Sequence, residues 1–338
     1  MVDIIPLPCM DKRLREGACA TCTNVGQGAL IAKSHAPFGR RTYAHGAMAF
    51  PSGRLQSMAF TTRPRPADLP NFTDPPVEEV ILGLIYMSVG AMTSNHIAKF
   101  RERAKHELPG LQYQPRLPIQ LESLRPDTYP TGPPLGGILV QPGLNPPAQR
   151  TWLLSPDDER LVQIQDDAFF SNWRRRKASY PHFETLVASF WDRFTIFRSL
   201  VAQDAAVPLQ LQQIEVTYIN WVPFDTAPIH EWFGPAERAE LNINDNPSYP
   251  EHEMWIGSFL VKEHGVSVGR LHARQLEALR AVPPQLGAQL ELQFRAPLAP
   301  GAEDSEIIDL AHLGRNSIVR AFTDLTTPRG HGRWGRII

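Results

Sequence analysis

Gln289-Leu290-Glu291-Leu292-Gln293-Phe294-Arg295 alternates apolar and polar side chains without a break. Strict period two is the signature of a strand with one face on a core and the other toward water, which is the habit of antiparallel sheets. The same alternation recurs at 211–222, where Ile214, Val216 and Tyr218 oppose Gln213, Glu215 and Thr217, and at 161–165, where Val162 and Ile164 alternate with Gln163 and Gln165. Residues 151–154 and 161–165 flank the polar turn Ser155-Pro156-Asp157-Asp158-Glu159 and read as a hairpin, followed by a third strand at 168–174. An apolar, β-branched run from Val77 to Tyr86 gives the first strand, and 254–261 and 266–273 or a little beyond give two more.

Between the strands lie three helical patterns. Ile97, Phe100, Ala104 and Leu108 recur at three and four behind a Thr93 or Ser94 cap, with Pro109-Gly110 as the stop. Phe183, Leu186, Val187, Phe190, Phe194, Phe197 and Val201 form the strongest helical stripe in the chain, with Pro181 in its first turn. Ile307, Ile308, Ala311, Ile318, Val319, Phe322 and Leu325 form a closing helix, expected to bend or split near Gly314. The expected fold is therefore α+β: mainly antiparallel sheet with helices packed on one side, rather than a doubly wound parallel sheet. Strand-strand-strand-helix occurs at 151–202 and again at 253–326, a pseudo-repeat in order without residue-level self-similarity.

The 338 residues are 42% apolar and carry a formal charge of -1, so no global field favours nucleic acid or membrane. Proline is the outlier at 32 residues, nine of them in 115–150. That stretch reads as a long surface connection with one short strand near 118–121. No segment approaches the ~18 apolar residues of a spanning helix and the N-terminus has no signal-peptide pattern, so the expectation is a cytoplasmic protein.

Residues 1–57 hold seven basic and three acidic side chains and no periodicity. Residues 1–67 are expected to be a disordered extension or the product of a start codon placed too far upstream, with Met58 as the alternative start. Residues 68–224 and 225–338 are expected to be two α+β parts packed as one unit. Cys9, Cys19 and Cys22 all fall in the extension; Cys19 and Cys22 have the spacing of half a zinc site that Cys9 and His35 could complete, but a second C-x2-C or C/H pair is missing and no metal site is assigned.

Pro75-Pro76-Val77-Glu78-Glu79-Val80, Leu161-Val162-Gln163-Ile164-Gln165, Phe170-Ser171-Asn172-Trp173-Arg174, Tyr180-Pro181-His182-Phe183 and Glu215-Val216-Thr217-Tyr218-Ile219-Asn220 occur in a telling order. The ending runs Ile318-Val319-Arg320-Ala321-Phe322-Thr323-Asp324-Leu325-Thr326-Thr327-Pro328, then His331 and Trp334-Gly335-Arg336. Together these resemble a sporadically distributed bacterial family of hypothetical proteins, over roughly residues 68–338. The resemblance implies a cytosolic bacterial protein and carries over no catalytic residue, because the family has no settled activity.

The phosphate-binding loop, the dinucleotide-binding glycine pattern, the HExxH motif and the nucleophile elbow are all absent, so no catalytic residue and no cofactor are assigned. His252 and His312 read as surface or cap residues. Two site candidates remain. Arg174, Arg175, Arg176 and Lys177 follow Trp173 and precede Tyr180 and His182, a basic and aromatic interleaving that can hold phosphates and stack bases. The packing alternative has Trp173 in the core and Arg174 on a neighbouring carboxylate. Tyr218, Asn220, Arg320, His331 and Trp334 can line a polar pocket; the packing alternative has Thr327-Pro328 capping a last short helix and Trp334 docking the chain end. The first functional reading is a non-enzymatic binding or regulatory module that partners another protein, a neighbouring gene product in a mobile or defence-type locus. The alternative is a nucleic-acid-associated protein or enzyme using the patch at 173–182.

Overall fold

The computed structural model describes residues 4–6, 63–87, 94–124, 149–177, 179–204, 208–224, 227–238, 240–243, 246–248, 254–281 and 284–337. The alternating segments become β2 (Val77–Tyr86), β4 (Gln149–Leu154), β5 (Arg160–Gln165), β6 (Ala168–Arg174), β7 (Leu211–Pro223), β10 (Trp255–Glu263), β11 (Val266–Ala281) and β12 (Pro284–Pro297). With β1 (Ile4–Pro6) and β3 (Gly110–Pro115) they form one ten-stranded sheet, in the order β1-β11-β12-β7-β2-β6-β5-β4-β3, with β10 on the same edge of β11 as β1. Every pairing is antiparallel. A separate two-stranded ribbon joins β8 (Leu241–Ile243) and β9 (Asn246–Ser248).

The order along the sheet explains the repeated pattern in the chain. β4-β5-β6 is a meander that folds back to lie beside β2, and β10-β11-β12 is a meander that folds back to lie beside β7. Each meander ends in a long helix, α2 (Phe183–Asp204) or α4 (Asp304–Leu325). The two inner strands pair with each other, Leu82 opposite Val216 and Val80 opposite Tyr218, so both halves share one sheet.

The cross-strand registers put Leu82, Leu84, Val162, Ile164, Phe169, Ile214, Val216, Leu292 and Phe294 on one face, all buried. The helices supply the other half of this core. Phe169 meets Phe190, Phe194 and Phe197 of α2 at 5.2–6.1 Å between ring centres, and Phe100 of α1 (Ser94–Ala104) reaches the same cluster. α4 lies over β12 and β7 and runs unbroken through Gly314. The expected bend is absent for a packing reason: a Cβ at 314 would stand 2.5 Å from the Phe294 ring, so the glycine lets the helix approach β12. His312, expected at the surface, is 5% exposed and packs on Phe183, and its burial pulls the imidazole down to about 4.

Thr327 caps α5 (Pro328–Arg333), accepting from the Gly330 amide, and a short 3-10 turn (Ile229–Glu231) leads into α3 (Gly234–Arg238). The expectation for residues 1–67 needs correction at both of its described segments: Arg63 pairs with Asp309 of α4 and Arg65 donates to Pro70 O, so 63–67 belong to the fold. Ile4–Pro6 pairs with Arg280–Ala278 of β11, completing an edge that β10 leaves open. The cysteines, His35, Met58 and His252 lie outside the described residues. No helix among the described residues is long and apolar enough to cross a membrane.

Phe194→Ala should cost ~3–5 kcal/mol in urea denaturation, because it opens a void in the aromatic cluster. Gly314→Ala should cost ~1–3 kcal/mol by overpacking against Phe294, although alanine favours helix. A neutral or stabilising Gly314→Ala would mean that α4 does not bear on β12 there.

Candidate functional site

Alternation sends the remaining strand residues to the opposite face of the sheet, where no helix covers them. That face was expected to meet water, yet Gln163, Gln165, Asn172, Arg174, Gln213, Glu215, Thr217 and Gln289 are all buried. One segment covers part of it. Part of the proline-rich connection, residues 116–124, is neither a free loop nor a strand. It is an extended strap laid across the strands. The Gln165 amide accepts from Leu117 N and donates to Leu117 O, each at 3.1 Å. The Gln213 amide does the same one stage further on, accepting from Glu122 N at 2.6 Å and donating to Gln120 O at 3.1 Å. Ile119 fills the space between, against Ile85, Ala168 and Phe170. The Glu122 carboxylate then receives Arg270 and His272, both at 2.7 Å, and Arg116 pairs with Asp166 and Asp167 at the other end.

Beside the strap no described residue covers the face, and a cavity of about 280 Å³ crosses β4, β5, β6, β2 and β7 and reaches β12 and β11. Leu117, Ile81, Leu161 and Ile219 give it an apolar floor, and Trp152 and Trp221 stand toward its two ends. A chain of side chains runs along it. Arg150 donates to Gln163 at 2.7 Å, Gln163 to Asn172 at 2.9 Å and Asn172 to Glu79 at 2.5 Å. Arg174 closes on Glu79 at 3.6 Å and donates to Asp158 at 3.0 Å, which also receives Arg176 at 2.6 Å. Asp158 can face both arginines because the turn holds it at φ 58, a conformation aspartate tolerates. Burial raises the Glu79 carboxyl in spite of these donors.

Arg150 is the anomaly. It is 8% exposed, and among the described residues it pairs with an amide and an indole but with no carboxylate. Burial lowers its guanidinium to about 10, still charged at neutral pH. Among the described residues its Nε has no acceptor, nor do the indole nitrogens of Trp152 and Trp221 or the Nε of Arg280. Guanidinium groups lie over both indoles, Arg150 and Arg174 over Trp152 at 5.1 and 5.3 Å and Arg280 over Trp221 at 4.6 Å. Four arginines line the cavity; Glu78 holds Arg280 at 2.9 Å, and Glu79 and Asp158 hold Arg174 and Arg176, which leaves Arg150 as the lining charge without a carboxylate among the described residues. The result is a positively charged, donor-rich surface over an apolar floor.

The two sequence candidates fare differently. Trp173 points to the helix side, 4% exposed and 5.6 Å from the Tyr180 ring, as its packing alternative states. Arg174 points the opposite way and enters the cavity. Arg175 donates to Val77 O and Pro75 O and pairs with Asp74, Arg176 is held by Asp158, and Lys177 is exposed. The five residues therefore do not share one surface, because successive strand residues face opposite sides.

The five-residue pocket is likewise not assembled. Tyr218 and Asn220 line a small cavity of about 60 Å³ with Tyr180 and Phe72, and the Tyr218 and Tyr180 hydroxyls meet at 2.8 Å. Arg320 sits on the outer side of α4 and pairs with Asp68; His331 binds Thr326 Oγ1 and Thr323 O; Trp334 packs on Trp232 and Phe322. Chain proximity near the C-terminus did not place these three on the strand end.

Arg150, Trp152, Trp221, Arg280 and Gln289 were not singled out from the sequence. The available signal was two tryptophans and two arginines among the non-core positions of strands, a costly placement for a face merely wetted by solvent. No group of three His, Cys, Asp or Glu side chains among the described residues is arranged to hold a metal. No family model, curated protein or solved structure matches the chain.

The strap gives a pH test. Burial alone would raise the Glu122 carboxyl, but the hydrogen bonds from His272 and Arg270 outweigh it and hold it below the usual value. A depressed carboxylate contributes stability above its unfolded value of ~4 and loses it as pH falls further. Glu122→Gln should therefore be less stable than wild type at neutral pH, with the difference closing below pH ~4. Parallel urea titrations across that range check it; a constant difference would remove the carboxylate from the account.

Proposed function

We propose that this protein is a binding module, without chemistry of its own, that engages another protein through the open cavity on its sheet face. The observation that carries the reading is Arg150, a buried charge with no counter-ion among the described residues. Buried charges are ordinarily paired, so a deficit of this kind beside unfilled indole donors marks a surface completed by something else. The side chains lining the cavity are hydrogen-bond donors, acceptors or apolar contacts, and its carboxylates already hold arginines or Asn172.

Glu78, Glu79, Gln163, Asn172, Arg174 and Ile219 all line this cavity and all belong to the segments that carry the resemblance to the sporadically distributed bacterial family. This convergence supports both the family reading and the use of the cavity, in a cytoplasmic protein whose partner is encoded beside it.

Co-expression with the products of adjoining genes, followed by affinity purification, tests the proposal. A partner should co-purify with the wild type and with Arg320→Gln, which alters an exposed ion pair elsewhere. It should be lost from the Arg150→Gln/Arg280→Gln double variant at an unchanged melting temperature. Retention by the folded double variant would take the cavity out of the interaction.

A further inference from the structure

The cavity lies on the same face as the strap, and Leu117 of the strap forms part of its wall. Three features of the strap show how this sheet face takes hold of an extended chain. Glutamine amides projecting from the strands pair reciprocally with strap main chain, at Gln165 and at Gln213. An apolar side chain, Ile119, drops onto the floor between them. An acidic side chain, Glu122, ends the run in a basic pair, Arg270 and His272.

The open cavity repeats these parts in the neighbouring rows of the sheet. Gln289 lines it with a side-chain amide. Ile81, Leu161 and Ile219 make the floor, and basic groups with unused Nε donors stand toward both ends, Arg150 beside Trp152 and Arg280 beside Trp221. Trp152 on β4 and Trp221 on β7 are four strand steps apart. At ~4.8 Å per step that is about 19 Å, the reach of roughly six residues of extended chain.

Resting on the binding-module reading, we propose that the cavity receives an extended segment of the partner protein, laid across the strands beside the strap, with an acidic residue at each end and apolar residues between. Charge selects the acidic ends: Arg150 has no carboxylate among the described residues, and Arg280 holds Glu78 at 2.9 Å through a terminal nitrogen while its Nε has no acceptor among them. The shape selects an extended chain: the cavity runs across the strands as the strap does. A nucleic-acid strand fits less well, because the Trp152 ring that would stack a base already carries two guanidinium groups.

The test is an array of immobilised heptapeptides that samples every residue type at each position, probed with the labelled full chain. Selected peptides are then measured by fluorescence anisotropy. Binders should carry Asp or Glu near both ends and apolar residues between. Replacing either acid by its amide should weaken binding ~30-fold or more, the scale of losing one partner of a buried charge pair. In Arg150→Gln the amide replacement at one end should cease to matter while the other end keeps its effect, and Arg280→Gln should give the reverse. If Arg150→Gln does not fold, Arg150→Lys, which keeps the charge and loses Nε, should still lower affinity for the acid at its end.

Selection of neutral peptides, or acids whose effect persists unchanged in both arginine variants, overturns the acidic-segment proposal. Absence of any peptide binder overturns it too. If a deoxythymidine decamer or inorganic phosphate then binds and is lost in the arginine variants, the cavity is a binding site of another class. If co-purification of the partner also survives the arginine double variant, the binding-module reading at this cavity falls with it.

Discussion

The antiparallel pairing of β2 with β7 is the contact on which the rest of the molecule depends. Each strand closes one half of the chain: β2 receives the β4-β5-β6 meander on its far edge, and β7 receives β10-β11-β12. Neither half has a sheet wide enough to support its long helix and the strap together. Joined at Leu82 and Val216, they give a continuous apolar face for α1, α2 and α4 and a continuous polar face behind it. The register matters as much as the pairing, because a slip of one residue would turn Leu82, Leu84, Ile214 and Val216 outward and bring Glu79 and Glu215 into the aromatic core.

The polar face has the harder physical problem. Gln213, Glu215, Gln163, Asn172 and Arg174 are removed from water, and each such group costs free energy unless it finds a partner. The strap answers this on one side. It brings main-chain donors and acceptors to glutamine side chains, as a sheet edge would, and it delivers Glu122 to Arg270 and His272. Glu215 meets Gln213, Gln293 and Arg295 in the same region, so the carboxylate stays solvated by protein, although burial still raises it. Where the strap does not reach, Arg150 and the two indole nitrogens are left unfilled. The strap side is closed more completely but not wholly, since Arg295, which donates to Gln120, keeps an Nε that makes no hydrogen bond among the described residues.

This places the basic run at 174–177 in a different light. Its charges are spent within the fold: Arg174 and Arg176 on Asp158, and Arg175 on main-chain carbonyls that fix the entry to β2. Arg174 nevertheless remains part of the cavity because Asp158 binds only one end of its guanidinium and Trp152 lies under it. The aromatic partner of the cavity is Trp152, two strands away, and not the adjacent Trp173.

Local pattern determined the elements. Alternation at 289–295 and 211–222, the hairpin at 151–165 and the phenylalanine stripe at 183–201 each report which side of a residue is buried, and that information is carried by neighbours in the chain. Element type, the antiparallel α+β class and the repeated strand-strand-strand-helix order were legible for this reason. β3 was not, because the alternation Leu111-Gln112-Tyr113-Gln114 is only four residues long, Tyr113 is exposed, and the segment is a strand by pairing with β4. Gly314 misled because a glycine in a helix marks a break locally, whereas here it makes room for Phe294 from a distant strand. The site belongs wholly to this second kind of information. Arg150, Trp152, Asn172, Glu79, Trp221 and Arg280 come from five different strands, and only the lateral order of the sheet makes them neighbours. The chain could specify that these positions point away from the core; which other residues share that face with them, and where the strap stops, depends on pairings between segments far apart in sequence.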